Sequence, residues 1–371
     1  MREIAETFPP GEFLKEELEA RGWTQTVLAE VMGRPVRLVN ELILAKRTIT
    51  AETAIQLGEA LGTGAEIWMN LESQYQLSKL QQKDDAIVQR AALYERFPVR
   101  EMIKRGWIQS SENVDVLAHR FLTYFRMETM NDVPRFAYAA KKTDATEPTT
   151  MQQLAWLLRA RNLAIEQVSL KYDRSKLVAT LAKLSALRTA PEETRHVPRI
   201  LAECGMRYVV VEALPGSQID GACFWLEGKQ PVVAMSLRLD RIDNFWFVLR
   251  HEIEHVLQEH GQSAGYVLDS DIEGMNNATI ANEEKVANDK AADFCVSQAE
   301  LNEFISRVTP YFSEEKVLGF ARRLQVHVGL VAGQLRRKLN RWDRWSGHLV
   351  KVRHIVTKTA LVDGWGLVEH S

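Results

Sequence analysis

Cysteine is scarce in this chain. Cys204, Cys223 and Cys295 are its three cysteines, widely spaced and without a CxxC pair. An odd, scattered set argues against a disulfide framework and predicts reduced thiols in a cytoplasmic setting. The sequence has no apolar run near the ~18 residues of a membrane-crossing helix. Its first residues, MREIAETFPPGEF, have no basic stretch leading into an apolar one, so neither a membrane span nor a signal peptide is expected. A dominant charge is missing too, with 47 Lys and Arg against 49 Asp and Glu. Binding to nucleic acid or membrane therefore has to come from a local patch. There is no internal repeat and no low-complexity tract. What is left is an ordinary globular balance, 46% hydrophobic and 26% charged over 371 residues, enough for two or three domains each with its own core.

The expected fold class is mainly α with a small β-sheet. Residues 1–77 read as five short helices broken by glycine. In PPGEFLKEELEARG, Pro10 sits near a helix start and Gly22 near its end. Thr24 can cap TQTVLAEVM, with Val27, Leu28, Val31 and Met32 on one face before Gly33. RPVRLVNELILAKR follows, burying Val36, Val39 and Ile43. Thr50 opens TAETAIQLGEALG, and AEIWMNLESQYQL is the fifth. Residues 78–190 stay helical, with segments such as ENVDVLAHRFLTYFRM and MQQLAWLLRARNLA, interrupted by the polar loop AAKKTDATEPTT. Residues 191–371 change period: RYVVVEAL, GACFWLEG and QPVVAMSL are short β-rich runs bounded by Pro and Gly. Helix returns over Arg241–His260 and Asn282–Phe294.

TQTVLAEVMG followed by RPVRLVNELILAKR has the form of a helix-turn-helix, whose second helix presents its N-terminal residues to base edges in the major groove. Arg34, Arg37 and Asn40 are the exposed candidates, since arginine matches guanine and asparagine matches adenine through paired hydrogen bonds. Lys46, Arg47 and Gln25 are placed to hold phosphate. The stretch from PGEFLKEELEARGWTQTVLAEVMG through NELILAKRTITAETAIQLGEALGTGAEIWMNLESQYQL closely resembles the HigA-type antitoxins of the XRE helix-turn-helix class. That resemblance implies a five-helix lambda-repressor-like domain in a dimeric regulator, with double-stranded operator DNA as its partner. Over Met1–Tyr75 seven Lys and Arg face twelve Asp and Glu, so affinity away from a specific site should be weak. The plain alternative is a helical dimerisation module without DNA binding.

RHEIEHVL, residues 250–257, places two histidines four apart with a glutamate after the first. On a helix His251 and His255 lie about 40° apart, so both imidazoles leave one face at the spacing a zinc ion needs. Glu252, to one side, is positioned as general base. A catalytic zinc takes three protein ligands, and ANEEKVANDKAADF downstream offers Glu284 and, one turn on, Asn288, a pattern resembling that of gluzincins. IDGACFWLEGKQPVVAMSLRLDRIDNFWFVLRHEIEHVL with EEKVAN, and the tail LQVHVGLVAGQLRRKL, resemble the ImmA/IrrE family of metallopeptidase domains that carry an N-terminal helix-turn-helix. The resemblance implies His251, His255 and Glu284 as zinc ligands, Glu252 as general base and Asn288 as support for a ligating histidine. Two positions depart from that family. Glu254 stands where a small residue is usual, free to crowd a substrate cleft, raise metal affinity or point to solvent, and DKAADF replaces a more apolar stretch.

The resemblance further implies a cytoplasmic regulator whose zinc endopeptidase cleaves a regulatory protein in stress or mobile-element control. The alternative is a HigA-like antitoxin or transcription factor whose C-terminal domain is a non-catalytic sensor or toxin-binding platform. The bland reading makes His251 and His255 surface residues of a core helix. His260 and Tyr266 both remain open as donors to a transition state, while His327 reads as an ordinary histidine. Cys295, Trp225 and Trp246 read as core.

Overall fold

A computed structural model describes residues 8–80, 85–132, 134, 140–142, 149–262, 266–270 and 282–364. The chain divides into two compact units, Met1–Gln89 and Arg90–Ser371. Among the described residues no helix is long and apolar enough to cross a membrane.

The first unit holds α1 (Pro10–Arg21), α2 (Gln25–Val31), α3 (Val36–Ile43), α4 (Ala51–Leu61) and α5 (Ala65–Leu80). The expected punctuation is in place. Gly22 closes α1 at φ 64°, a left-handed conformation that suits glycine, and Thr24 and Thr50 accept hydrogen bonds from the backbone N–H of Val27 and Thr53. Leu14, Leu28, Val39, Leu42, Leu57 and Trp68 form the core. The buried faces differ in detail from the expected ones. Val27, Val31 and Val36 are exposed, while Leu28 and Ala29 of α2 and Val39 and Leu42 of α3 are buried. At about 100° per residue, Leu28 and Ala29 centre an arc that leaves Val31 on its flank and Val27 on the far side, and Val39 and Leu42 leave Val36 on the flank of theirs.

The chain division falls within α6 (Asp85–Arg96). There follow α7 (Val99–Lys104), α8 (Val114–Phe125), β1 (Ala140–Lys142), α9 (Met151–Glu166), α10 (Arg174–Ala186), α11 (Val197–Glu203), β2 (Arg207–Val210), β3 (Ile219–Leu226), β4 (Gln230–Met235), α12 (Ile242–Leu257), β5 (Tyr266–Ser270), α13 (Asn282–Cys295), α14 (Gln298–Val308), α15 (Glu314–Arg323), α16 (Val328–Leu339), α17 (Arg353–Val356) and β6 (Leu361–Val362). The strands form one sheet in the order β1-β5-β3-β4-β2-β6. β3 is antiparallel to both β4 and β5, with Cys223 opposite Val233 on one side and Val267 on the other. The three β-rich runs are the strands β2, β3 and β4. The polar stretch read as a loop contributes β1, which pairs in parallel with β5.

Alternate residues along the strands enter two cores. Val209, Ala222, Phe224, Val232 and Ala234 pack with Trp156, Phe121 and Phe125, so helices of the expected middle region cover one face of the sheet. Tyr208, Cys223, Val233 and Met235 pack with Trp246, Phe245 and Leu330 on the other. A sheet covered on both faces needs apolar residues in both registers. That is why these runs read as continuous hydrophobic stretches. All three cysteines are buried and none is in a disulfide, and burial pushes the Cys295 thiol up to about 12, which keeps it an inert core residue.

Candidate metal centre and nucleic-acid interface

Every residue of α12 from Phe245 to Leu257 is buried. Within that run lie five ionisable side chains, Arg250, His251, Glu252, Glu254 and His255, and burying such groups is costly unless each is paired or ligated. Four of them sort into two sets. Arg250 Nη2 donates to Glu254 Oε2 at 2.7 Å, and Gln258 Nε2 donates to Glu254 Oε1 at 2.9 Å. Burial alone would raise the Glu254 carboxyl, but the hydrogen bonds from Gln258 and Arg250 outweigh it and hold it below the ordinary range. The departure from the family pattern at this position is thus absorbed by an internal ion pair. Glu254 neither faces solvent nor joins the histidines.

The second set converges. His251 and His255 point their Nε2 atoms at each other, 3.0 Å apart. Glu284, in the first turn of α13, brings Oε2 to 3.3 Å from His251 Nε2 and 3.5 Å from His255 Nε2. All three residues are buried, at 0%, 1% and 6% exposure. Two imidazole nitrogens and a carboxylate oxygen are zinc's usual donors, and at tetrahedral angles and bond lengths near 2.0–2.1 Å such donors stand about 3.3 Å apart. The three separations bracket that figure, so the residues present fit the ion. They form a group able to hold a metal.

β3 shapes the surroundings. Glu252 is fully buried, and a Cβ placed on Gly221 would run into its Oε1 and lie 2.9 Å from Val248 Cγ1. A side chain at Gly221 would force that carboxylate to shift, and a glycine inside a β pattern is the sequence signal for such an approach. Farther along β3, Trp225 Nε1 donates to the carbonyl of His260 at 3.0 Å. His260 turns back on α12, its Nδ1 2.8 Å from His255 Nδ1. It therefore partners a proposed ligand, a role that sequence reasoning did not assign to it. Asn288 makes no such bond. Its Oδ1 is buried without a hydrogen-bond partner among the described residues, so the expected support for a ligating histidine does not come from it. The side chain of Tyr266 lies outside the described residues. His327 caps α16, its Nδ1 accepting from Gly329 N at 3.1 Å. Trp246 is fully buried core.

In the first unit α2 and α3 flank a turn in which Gly33 has φ 62°. Arg37 and Asn40 stand exposed on α3, as do Lys46 and Arg47 beyond its end, and Gln25, half-buried, opens α2. Arg34 turns away to α4, where its Nε donates to Gln56 Oε1 at 3.0 Å and its guanidinium pairs with Glu52. Arg37 is 87% exposed but tethered, its Nε 2.7 Å from Glu41 Oε1, and Arg47 reaches the other oxygen of the same carboxylate at 3.5 Å. The hydrogen bond from Arg37, ahead of the neighbouring charges, holds Glu41 below the usual carboxylate range. Sequence reasoning missed Glu41. Its spacing of four from Arg37 was the available sign.

A helix-turn-helix family model matches residues 14–68. Virulence-associated protein I of Dichelobacter nodosus is 34% identical over 79 residues, which are 21% of this chain and 73% of that protein. Antitoxin HigA-1 of Vibrio cholerae serotype O1 is 44% identical over 63 residues, 17% of this chain and 59% of its own length. Among solved structures, the Pseudomonas aeruginosa antitoxin HigA with higBA promoter is 31% identical, with 22% of this chain and 91% of that one covered and a TM-score of 0.21.

Proposed function

The chain belongs, through its N-terminal unit, to the XRE-type helix-turn-helix family, and from that premise we propose a DNA-binding regulator of the HigA-like kind that carries a zinc-dependent endopeptidase in its second unit. Its partners are then double-stranded operator DNA, read by a homodimer in the cytoplasm, and a regulatory protein that it cleaves. The observation that carries the hydrolase reading is the convergence of His251, His255 and Glu284, from two separate helices, next in sequence to a buried glutamate.

Zinc held by those three side chains would polarise the scissile carbonyl as a Lewis acid. The chain's own part is proton transfer. Glu252 takes a proton from the attacking water as the oxygen bonds to the carbonyl carbon, then passes it to the amine nitrogen as the C–N bond breaks. Gly221 keeps the space in which that carboxylate sits.

The test is metal uptake. Chelator-stripped protein titrated with zinc against a chromophoric competitor is expected to take one equivalent, and His255→Ala none above background. Equal uptake by the two would overturn the site. A second reading is favoured by the full burial of Glu252 and the histidines: a metal-holding sensor or toxin-binding platform without hydrolysis.

On the DNA side, Glu41 competes with phosphate for Arg37 and Arg47. Glu41→Gln frees both and removes a negative charge from the binding face. Non-specific duplex binding, followed by fluorescence anisotropy, should tighten several-fold at low salt. The slope of log K against log[salt] should steepen by about 0.9 for each additional phosphate that the freed arginines neutralise. An unchanged slope would show that the Glu41 tether does not limit binding.

A further inference from the structure

We propose that His260 is a positioning residue for the metal centre, fixing the tautomer of His255. The inference rests on the metal reading and deepens it. His255 can offer Nε2 to an ion only as a lone pair, so its ring proton must reside on Nδ1. An imidazole without a bond at Nδ1 can carry that proton on either nitrogen, and a proton on Nε2 blocks the donor position. In this fold Nδ1 of His255 lies 2.8 Å from Nδ1 of His260. With His255 donating, His260 accepts at Nδ1 and carries its own proton on Nε2, which faces Glu283 Oε2 at 3.8 Å. Ligating histidines ordinarily give the second N–H to a carboxylate, carbonyl or water. Here a histidine backed by a carboxylate takes that place.

The arrangement is built from several directions. The chain reverses after α12 through Glu259 and Gly261, both at positive φ, and His260 N donates to the His255 carbonyl at 2.9 Å. Trp225 Nε1 holds the His260 carbonyl at 3.0 Å, and the ring of Tyr172 meets Trp225 edge-on at 5.3 Å. α13 supplies both carboxylates, Glu284 to the ligand triangle and Glu283 to His260. Helices α12 and α13 therefore carry the ligands, and β3 and α13 together hold the group that orients one of them.

The test uses the full chain. His260→Ala should weaken zinc binding about 10- to 100-fold, measured by competition with a chromophoric chelator, and should change the visible d–d spectrum of the cobalt-substituted protein. His260→Asn carries an acceptor oxygen the same number of bonds from the backbone as Nδ1, and should restore both affinity and spectrum. Two results would overturn the role of His260: zinc binding by His260→Ala equal to wild type, or equal weakening in the Ala and Asn variants, which would mark a packing effect. Failure of wild type itself to bind zinc is a separate outcome, one that removes the metal reading and this inference with it.

Discussion

Glu252→Gln is expected to lower cleavage of a quenched-fluorescent peptide pool roughly a thousandfold, within the range that general acid–base catalysis contributes, while zinc uptake stays at the wild-type level. The amide keeps the shape of the side chain and its fit against Gly221. It loses the ability to take a proton from water and return it to the leaving amine. Glu252 is not one of the three converging donors, so the variant separates chemistry from metal holding. In cells, new protein N-termini should appear with the wild-type chain and be missing with Glu252→Gln, and their sequences would identify the substrate. Cleavage retained in the variant would remove Glu252 as the base. Zinc uptake and gene regulation shared by both proteins, with no cleavage by either, would leave the sensor or platform reading in possession.

The parts of the fold and site that were legible in the sequence share one property: their signals are local. Caps at Thr24 and Thr50, the glycine after α1 and the histidines four apart each depend on a few neighbouring residues, and the structure places all of them as read. Glu284 lies 29 residues beyond His255, and only a family resemblance points to it, because periodicity says nothing about which two helices pack. The rest depended on non-local geometry. β1 is three residues of a polar stretch that becomes a strand by pairing with β5, far along the chain. His260 meets His255 because the backbone at Glu259, a residue with no preference for the left-handed region, adopts φ 57°. Val36 reads as buried because it is apolar, yet the position of Val39 and Leu42 around α3 decides the buried arc. Gly221 was readable in principle, but the α12 glutamate packed against it was not.

Arg250→Met should be among the most destabilising single changes in the second unit, costing about 3–5 kcal/mol. Arg250 and Glu254 are 8% and 6% exposed at their side chains and 2.7 Å apart, inside a helix that is buried from Phe245 onward. Methionine fills much of the arginine's volume, so packing loss is small. The cost comes from a carboxylate left in the interior with Gln258 alone to satisfy it. For a unit of this size the midpoint of thermal unfolding should fall by about 5–8 °C. Arg250→Met combined with Glu254→Leu removes both charges and should recover most of the loss, because a buried pair is worth little against well-packed apolar residues while a broken pair is expensive. A single variant within about 1 kcal/mol of wild type would mean that water reaches Glu254. The pair also bears on the metal centre, since Glu254 precedes His255 directly. Tied to Arg250 and Gln258, its carboxylate is withheld from the ligand group, so the count of converging donors stays at three. Zinc stoichiometry should accordingly be unchanged in the double variant, where neither charge remains.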